Sequence, residues 1–130
     1  MEVIKVAKIF IIDDDIDIVL LFGQFLEMNG HEIVGKAYNG EDAIKTFKNL
    51  QSNPDIILMD HRMPLKNGLE TSKELLNMGC KSKIIFVSAD YTARTEALKS
   101  GAVDFLEKPI DLATLIGMIK KYSPLKTEIS

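Results

Sequence analysis

Short, almost unbroken apolar runs alternate along this chain with longer stretches in which apolar residues return every three or four positions. Lys8-Ile9-Phe10-Ile11-Ile12 opens the series and reads as a strand covered on both faces. From Asp15 the period changes: Ile18, Leu21, Phe22, Phe25 and Leu26 recur at helical spacing until Asn29-Gly30 supplies a stop. His31 to Val34 is a second short strand, and Asn39 an N-cap for a helix carrying Ala43, Ile44 and Phe47 on one face. Asn53-Pro54 breaks the chain before the strand Asp55 to Met59, which ends at Asp60. A loop with Pro64 and Asn67-Gly68 leads to a helix bearing Leu69, Leu75 and Leu76. Lys83 to Val87 is a further buried strand, with Ser88-Ala89-Asp90 as its turn. A weaker helix over Arg94 to Lys99 ends at Gly101, Val103 to Leu106 forms the last strand, and Ile110 to Tyr122 the last helix.

Strands alternating with helices over the whole length predict βαβ units, a parallel sheet and helices on both of its faces. Residues 1–122 are expected to form one domain. Residues 123–130, with Pro124 and scattered charge but no apolar period, are expected to be a short frayed tail.

Composition narrows the function classes. The 130 residues suffice for one domain with its own core, and 46% hydrophobic with 27% charged residues is an ordinary globular balance. A net charge of -3 without clustered Lys and Arg argues against direct nucleic-acid binding. The single cysteine, Cys80, is expected to be a small packing or surface residue in a reducing, cytoplasmic setting. The first residues lack the pattern of a secretion signal, and no apolar run reaches the ~20 residues that cross a bilayer.

The chemistry emerges from the residues at the carboxyl end of each strand. In an open parallel sheet, ligands sit beyond those ends, where the strand order reverses. Asp13-Asp14-Asp15 follow the first strand, Asp60 the third, Ser88-Ala89 the fourth and Lys108-Pro109 the fifth. Carboxylates gathered at one edge repel one another and call for a cation, and oxygen-only donors suit a hard ion such as Mg²⁺. A carboxylate there can attack a phosphoryl donor, while an ammonium and a hydroxyl stabilise the transferred oxygens.

Ile11-Ile12-Asp13-Asp14-Asp15, Leu58-Met59-Asp60-His61-Arg62-Met63-Pro64, Val87-Ser88-Ala89 and Glu107-Lys108-Pro109 together resemble the motifs of receiver domains of two-component response regulators, over roughly residues 7 to 122. The resemblance implies a doubly wound (βα)5 flavodoxin-like α/β fold with a five-stranded parallel sheet in the order 2-1-3-4-5. It implies Asp60 as phosphoacceptor, with Mg²⁺ held by Asp13, Asp14, Asp60 and the backbone carbonyl of Arg62. It also implies Lys108 as the phosphoryl-contacting lysine, a cis Lys108–Pro109 bond, Ala89 as the small residue beside the phosphoryl group, and Ser88 and Phe105 as switch residues. The implied partners are a sensor histidine kinase or histidine phosphotransfer protein, an output protein of unspecified kind, and a second copy in a phosphorylation-dependent dimer. The expectation is a signalling domain rather than an enzyme, one that takes phosphoryl groups from donors and loses them slowly.

Plainer readings apply to several residues. Asp15 is expected to cap the first helix, His31 to be structural and His61 a loop residue. Lys36, Lys45, Lys48 and Lys66 fit a solvated coat, and Met59, Met63 and Met78 fit packing. Ile16, Val19 and Leu20 lie beside the expected inward stripe of the first helix and suit either a broad buried face or a docking patch for a phosphodonor. Arg62 and Asp90 are placed to pair across the site. Two rival readings are a metal-dependent phosphohydrolase and a flavin-binding module. The first wants a second acid where Arg62 stands, and the second wants hydroxyls and amides where the acids of the first loop stand. A receiver cut from a hybrid kinase or longer regulator keeps the same chemistry.

Overall fold

Three apolar runs settle side by side as central parallel strands because each is covered on both faces, and two half-exposed strands flank them. The computed structural model describes residues 2–128. In chain order the elements are β1 (Glu2–Lys5), β2 (Lys8–Ile12), α1 (Ile16–Met28), β3 (Glu32–Ala37), α2 (Gly40–Asn49), β4 (Ile56–Met59), α3 (Gly68–Asn77), β5 (Lys83–Ser88), α4 (Arg94–Lys99), β6 (Asp104–Glu107), α5 (Leu112–Tyr122) and β7 (Leu125–Glu128). A single 3₁₀ turn, Tyr91–Ala93, precedes α4.

The main sheet runs β3-β2-β4-β5-β6, all parallel. Counted from Lys8–Ile12, this is the expected 2-1-3-4-5 order. Alternation along the strands sorts their side chains into two cores. Phe10, Ile12, Ile57, Met59 and Phe86 face the layer holding Ala43, Ile44, Leu75 and Ala97 of α2, α3 and α4. Ile9, Ile11, Leu58, Ile85 and Val87 face Val19, Phe22, Leu26, Leu115 and Ile119 of α1 and α5. Cys80 is a free thiol within the first core, as its small-residue reading expects.

Helix starts follow their capping chemistry. The Asp15 carboxylate accepts the N–H groups of Asp17 and Ile18, Asn39 accepts that of Asp42, and Asp111 that of Thr114. Asn67 and Glu70 form a reciprocal capping box at α3. At the end of α1, Gly30 takes a φ of 89°, a left-handed turn a side chain would resist.

Three expectations need correction. The inward stripe of α1 is shifted: Val19 is 1% exposed, whereas Leu21 is 46% exposed. Edge strand β3 continues to Ala37 rather than stopping at Val34. Leu125–Glu128, expected to fray, pairs antiparallel with Glu2–Lys5 as a two-stranded ribbon separate from the main sheet. That pairing joins the two ends of the chain and leaves no local period to read. Among the described residues, no helix is long and apolar enough to cross a membrane.

Candidate functional site

Parallel strands of similar length bring their carboxyl ends to one rim, and backbone bonds carry the pairing past the strands into the site residues. The N–H of Asp13 donates to Ala37 O (3.1 Å), that of Asp60 to Ile12 O (2.9 Å) and that of Lys108 to Ser88 O (2.9 Å). The strand order reverses between β2 and β4, so the crevice there is flanked by Asp13 and Asp14 on one side and Asp60 on the other.

Residues that sequence reasoning selected from separate motifs meet at this point. One carboxylate oxygen from each of Asp13, Asp14 and Asp60 lies within 4.8 Å of the others. Lys108 Nζ is 2.8 Å from Asp13 Oδ2 and 3.6 Å from Asp60 Oδ2. Asp13 and Asp60 are 3% and 6% exposed, Ser88 is buried, and Asp14 opens to solvent. The other Asp13 oxygen accepts the Asp15 N–H at 2.9 Å, and Asp60 Oδ1 accepts that of His61 at 2.8 Å. Each buried carboxylate is therefore oriented, with an oxygen left toward the crevice. The Lys108–Pro109 bond is cis.

The charges are unequally matched. Burial first, and then the neighbouring Asp13 carboxylate, push Asp60 up to about 7 against the opposing pull of Lys108 and the His61 N–H. Burial works against the Lys108 charge, but its bond to Asp13 and the two nearby carboxylates hold its pKa above the usual value. A cluster of oriented oxygen donors carrying excess negative charge suits a hard divalent cation.

The loop that follows β4 is shaped from below by α3. The Gly68 N–H donates to His61 O at 2.8 Å, and a Cβ there would collide with the Asp60 carbonyl and lie 2.8 Å from His61 Cα. His61 Nδ1 accepts the Leu69 N–H at 3.4 Å, so its ring props the start of α3, a role beyond the loop position expected for it. Above the loop, Arg62 Nε meets Asp90 Oδ2 at 3.0 Å, which joins the segments after β4 and β5 as expected. Hydrogen bonds from Thr92, first of all, and the charge of Arg62 hold Asp90 below its usual pKa.

Ser88 Oγ accepts the Asp90 N–H at 3.1 Å. Phe105 is inward, its ring stacked on Phe86 at 6.0 Å and met edge-on by Tyr91 at 5.9 Å. Tyr91 was not legible in the sequence, since a lone aromatic in a turn has no period to betray it. Of the three residues suggested as a docking patch, Ile16 and Leu20 are exposed one turn apart, but Val19 is core and cannot contribute. A cleft of about 510 Å³ lies at the opposite end of the sheet, lined by residues preceding β4 and β5, and does not reach this site.

The family model for the response regulator receiver domain matches residues 9–120. The chemotaxis protein CheY of Thermotoga maritima is 33% identical over 118 residues, which cover 89% of this chain and 97% of that protein. Among solved structures, the CheX–CheY–BeF3–Mg complex from Borrelia burgdorferi superposes with a TM-score of 0.82 at 27% identity, covering 88% of this chain and 87% of that one. The T. maritima response regulator TrrA, in complex with Mg²⁺–BeF, gives a TM-score of 0.77 at 30% identity over 92% of this chain and 99% of that one. With its fold, its acidic rim and these likenesses in agreement, the chain belongs to the response regulator receiver domain family.

Proposed function

We propose that this chain is the phosphoacceptor of a two-component phosphorelay and that Asp60 receives the phosphoryl group from a phosphohistidine of a sensor histidine kinase or histidine phosphotransfer protein. An Asp60 oxygen attacks phosphorus, the new O–P bond replaces the histidine N–P bond, and the imidazole leaves. The observation carrying this reading is the buried Asp60 carboxylate with the Lys108 ammonium and the Asp13–Asp14 pair around it. Lys108 holds charge against the incoming oxygens, and the Ser88 hydroxyl donates to one of them. Asp13, Asp14, Asp60 and the Arg62 carbonyl are the residues that would hold Mg²⁺, which when bound offsets the negative charge of both carboxylates and phosphoryl oxygens. The Mg²⁺ and beryllofluoride named with two structural neighbours support that assignment.

Turning of Ser88 toward the phosphoryl group, with the Phe105 ring held inward against Phe86, would bias the surface formed by α4, β6 and α5 toward an output partner or a second copy. The Arg62–Asp90 ion pair spans the mouth of the site and restricts the approach of hydrolytic water, setting how long the mark lasts. Exposed Ile16 and Leu20 offer the donor protein an apolar landing beside the acids.

Acetyl phosphate and Mg²⁺ added to wild type and to Asp60→Asn, followed by intact mass, test the proposal directly. Wild type should gain one phosphoryl group and the variant none. Stable gain in the variant alone, or in neither, overturns the assignment.

A further inference from the structure

The loop that follows β4 is folded tightly and under strain. Its neck is closed by the Gly68 N–H on His61 O at 2.8 Å, and within it the Lys66 N–H donates to Pro64 O at 2.8 Å across Leu65, whose φ is 70°. A bond of that span over a left-handed residue makes a γ-turn of the rare, strained kind. Leu65 is 73% exposed, so its own packing does little to offset the strain. The conformation is held from outside instead. Met63 packs against the core, and the Lys66 ammonium pairs with Glu74 of α3.

A further support comes from α2. A Cβ on Gly40 would lie 2.4 Å from Lys66 O, 2.6 Å from Lys66 Cβ and 2.2 Å from Thr71 Oγ1. The Gly40 backbone is therefore seated on the bend at Lys66 and on α3, with no room for a side chain between them. Thr71 is fully buried, and its hydroxyl donates to Asn67 O at 2.7 Å, which fastens the exit of the loop at the same point. Gly40 is itself fixed. Asn39 caps α2 by accepting the Asp42 N–H at 2.8 Å, and Ala43 and Ile44 anchor the helix in the core. Earlier in the same segment, Ala37 O accepts the Asp13 N–H at 3.1 Å. The stretch from Ala37 to Gly40 thus touches both sides of the acidic crevice: the Asp13 backbone on one, and the loop that carries the Arg62 carbonyl on the other.

We infer that Ala37 to Gly40 is a brace that sets the spacing between Asp13 and the Arg62 carbonyl, and that Gly40 is a positioning residue for Mg²⁺ binding. The inference deepens the proposed function and rests on its metal assignment. Mg²⁺ demands near-ideal octahedral geometry and tolerates little displacement of its ligands. A loop strained at Leu65 shifts once the support outside it is moved. Gly40 touches neither the cation nor the transferred group; it acts through Lys66 and the loop.

Titration of the unphosphorylated protein with MgCl₂, followed by amide NMR shifts with no phosphodonor present, tests the brace. Gly40→Ala should bind Mg²⁺ about tenfold or more weaker than wild type, as the loss of an outer support to a metal ligand does. Ile44→Val, which disturbs the core side of the same helix and not the loop, should stay within about twofold, separating the contact from a general loosening of α2. Thr71→Ala removes the bond to Asn67 O and should weaken binding about two- to tenfold. Thr71→Ser keeps that bond and should stay within about twofold of wild type on the same reasoning. Wild-type affinity in a folded Gly40→Ala, or in Thr71→Ala where Gly40→Ala does not fold, overturns the brace alone, as does an equal loss in Ile44→Val. Wild type that binds no Mg²⁺ overturns the metal assignment and the brace with it.

Discussion

Asp60 and Asp13 bring two carboxylates into a crevice from which most water is removed, with the Lys108 ammonium in contact with both. Burial and the Asp13 charge raise Asp60 to about 7, so the acid is far less ionised near neutrality than its exposed counterparts. A cation placed among these oxygens would favour the ionised form of Asp60. His31 shows the opposite sign of the same physics. Its Nδ1 accepts the Ala7 N–H at 3.0 Å, which requires an unprotonated Nδ1, and desolvation by burial lowers its pKa below 6.5. The unfolded chain therefore binds a proton at higher pH than the folded one. The contribution of His31 to stability is complete above about pH 6.5 and is lost as pH falls through the lowered folded value. Urea unfolding at pH 7.5 and pH 5 should show wild type losing stability on acidification relative to His31→Asn, whose amide oxygen accepts the same bond without titrating. The opposite contribution of Asp60, raised to about 7 and gaining stability as pH falls below that, is common to both proteins and cancels in the comparison. Equal changes in the two proteins would remove His31 from the acid response.

Helix α3 acts on Asp60 through its first turn, where the capping box fixes the helix start and Gly68 lets the backbone pass against the Asp60 carbonyl. Alanine at Gly68 must push the loop after β4 away, with backbone rather than a flexible side chain in its path. Gly68→Ala is expected to destabilise by about 1–3 kcal/mol and to slow phosphoryl uptake about tenfold or more, because the carboxylate is displaced from its neighbours. The same substitution at Gly117, in α5, meets nothing within 4 Å. There it should stabilise by about 0.5–1 kcal/mol through helix propensity. Denaturant titration of the pair checks both signs, and similar effects from the two would refute the steric account. Elements of this kind were partly legible in the sequence. The Asn67 cap and the Gly68 turn are local signals, whereas the contact of Gly68 with Asp60 is set by tertiary packing. For α1 the helix itself was plain, but apolar residues lie on nearly every side of it. Its period alone therefore did not distinguish Val19, which is core, from Leu21, which is exposed.

At the scale of the molecule, the site was readable because the fold places every strand end on one rim, so residues scattered along the chain, each just past a strand, become neighbours. Nothing comparable announces the β1–β7 ribbon, which joins Lys5 to Leu125 across the length of the chain. Its position is a consequence of topology. Strand β2 begins, and the antiparallel-running α5 ends, on the face of the molecule away from the acids, so the two chain ends emerge near each other. An isolated two-stranded ribbon has only marginal stability of its own, and the buried Ser123 hydroxyl already closes α5 by donating to Ile119 O at 2.6 Å. The ribbon is thus expected to be an appendage that opens independently of the main sheet. Deleting residues 125–130 should lower the unfolding free energy by about 1 kcal/mol or less and leave the rate of phosphoryl uptake within about twofold of wild type, since no site residue depends on it. Hydrogen exchange should find the amides of residues 2–5 fast in the full chain and faster still after the deletion, with β2 and β4 unchanged. A broad loss of protection across the main sheet would mean instead that the joined ends help to hold the rim on which Asp60 and its neighbours meet.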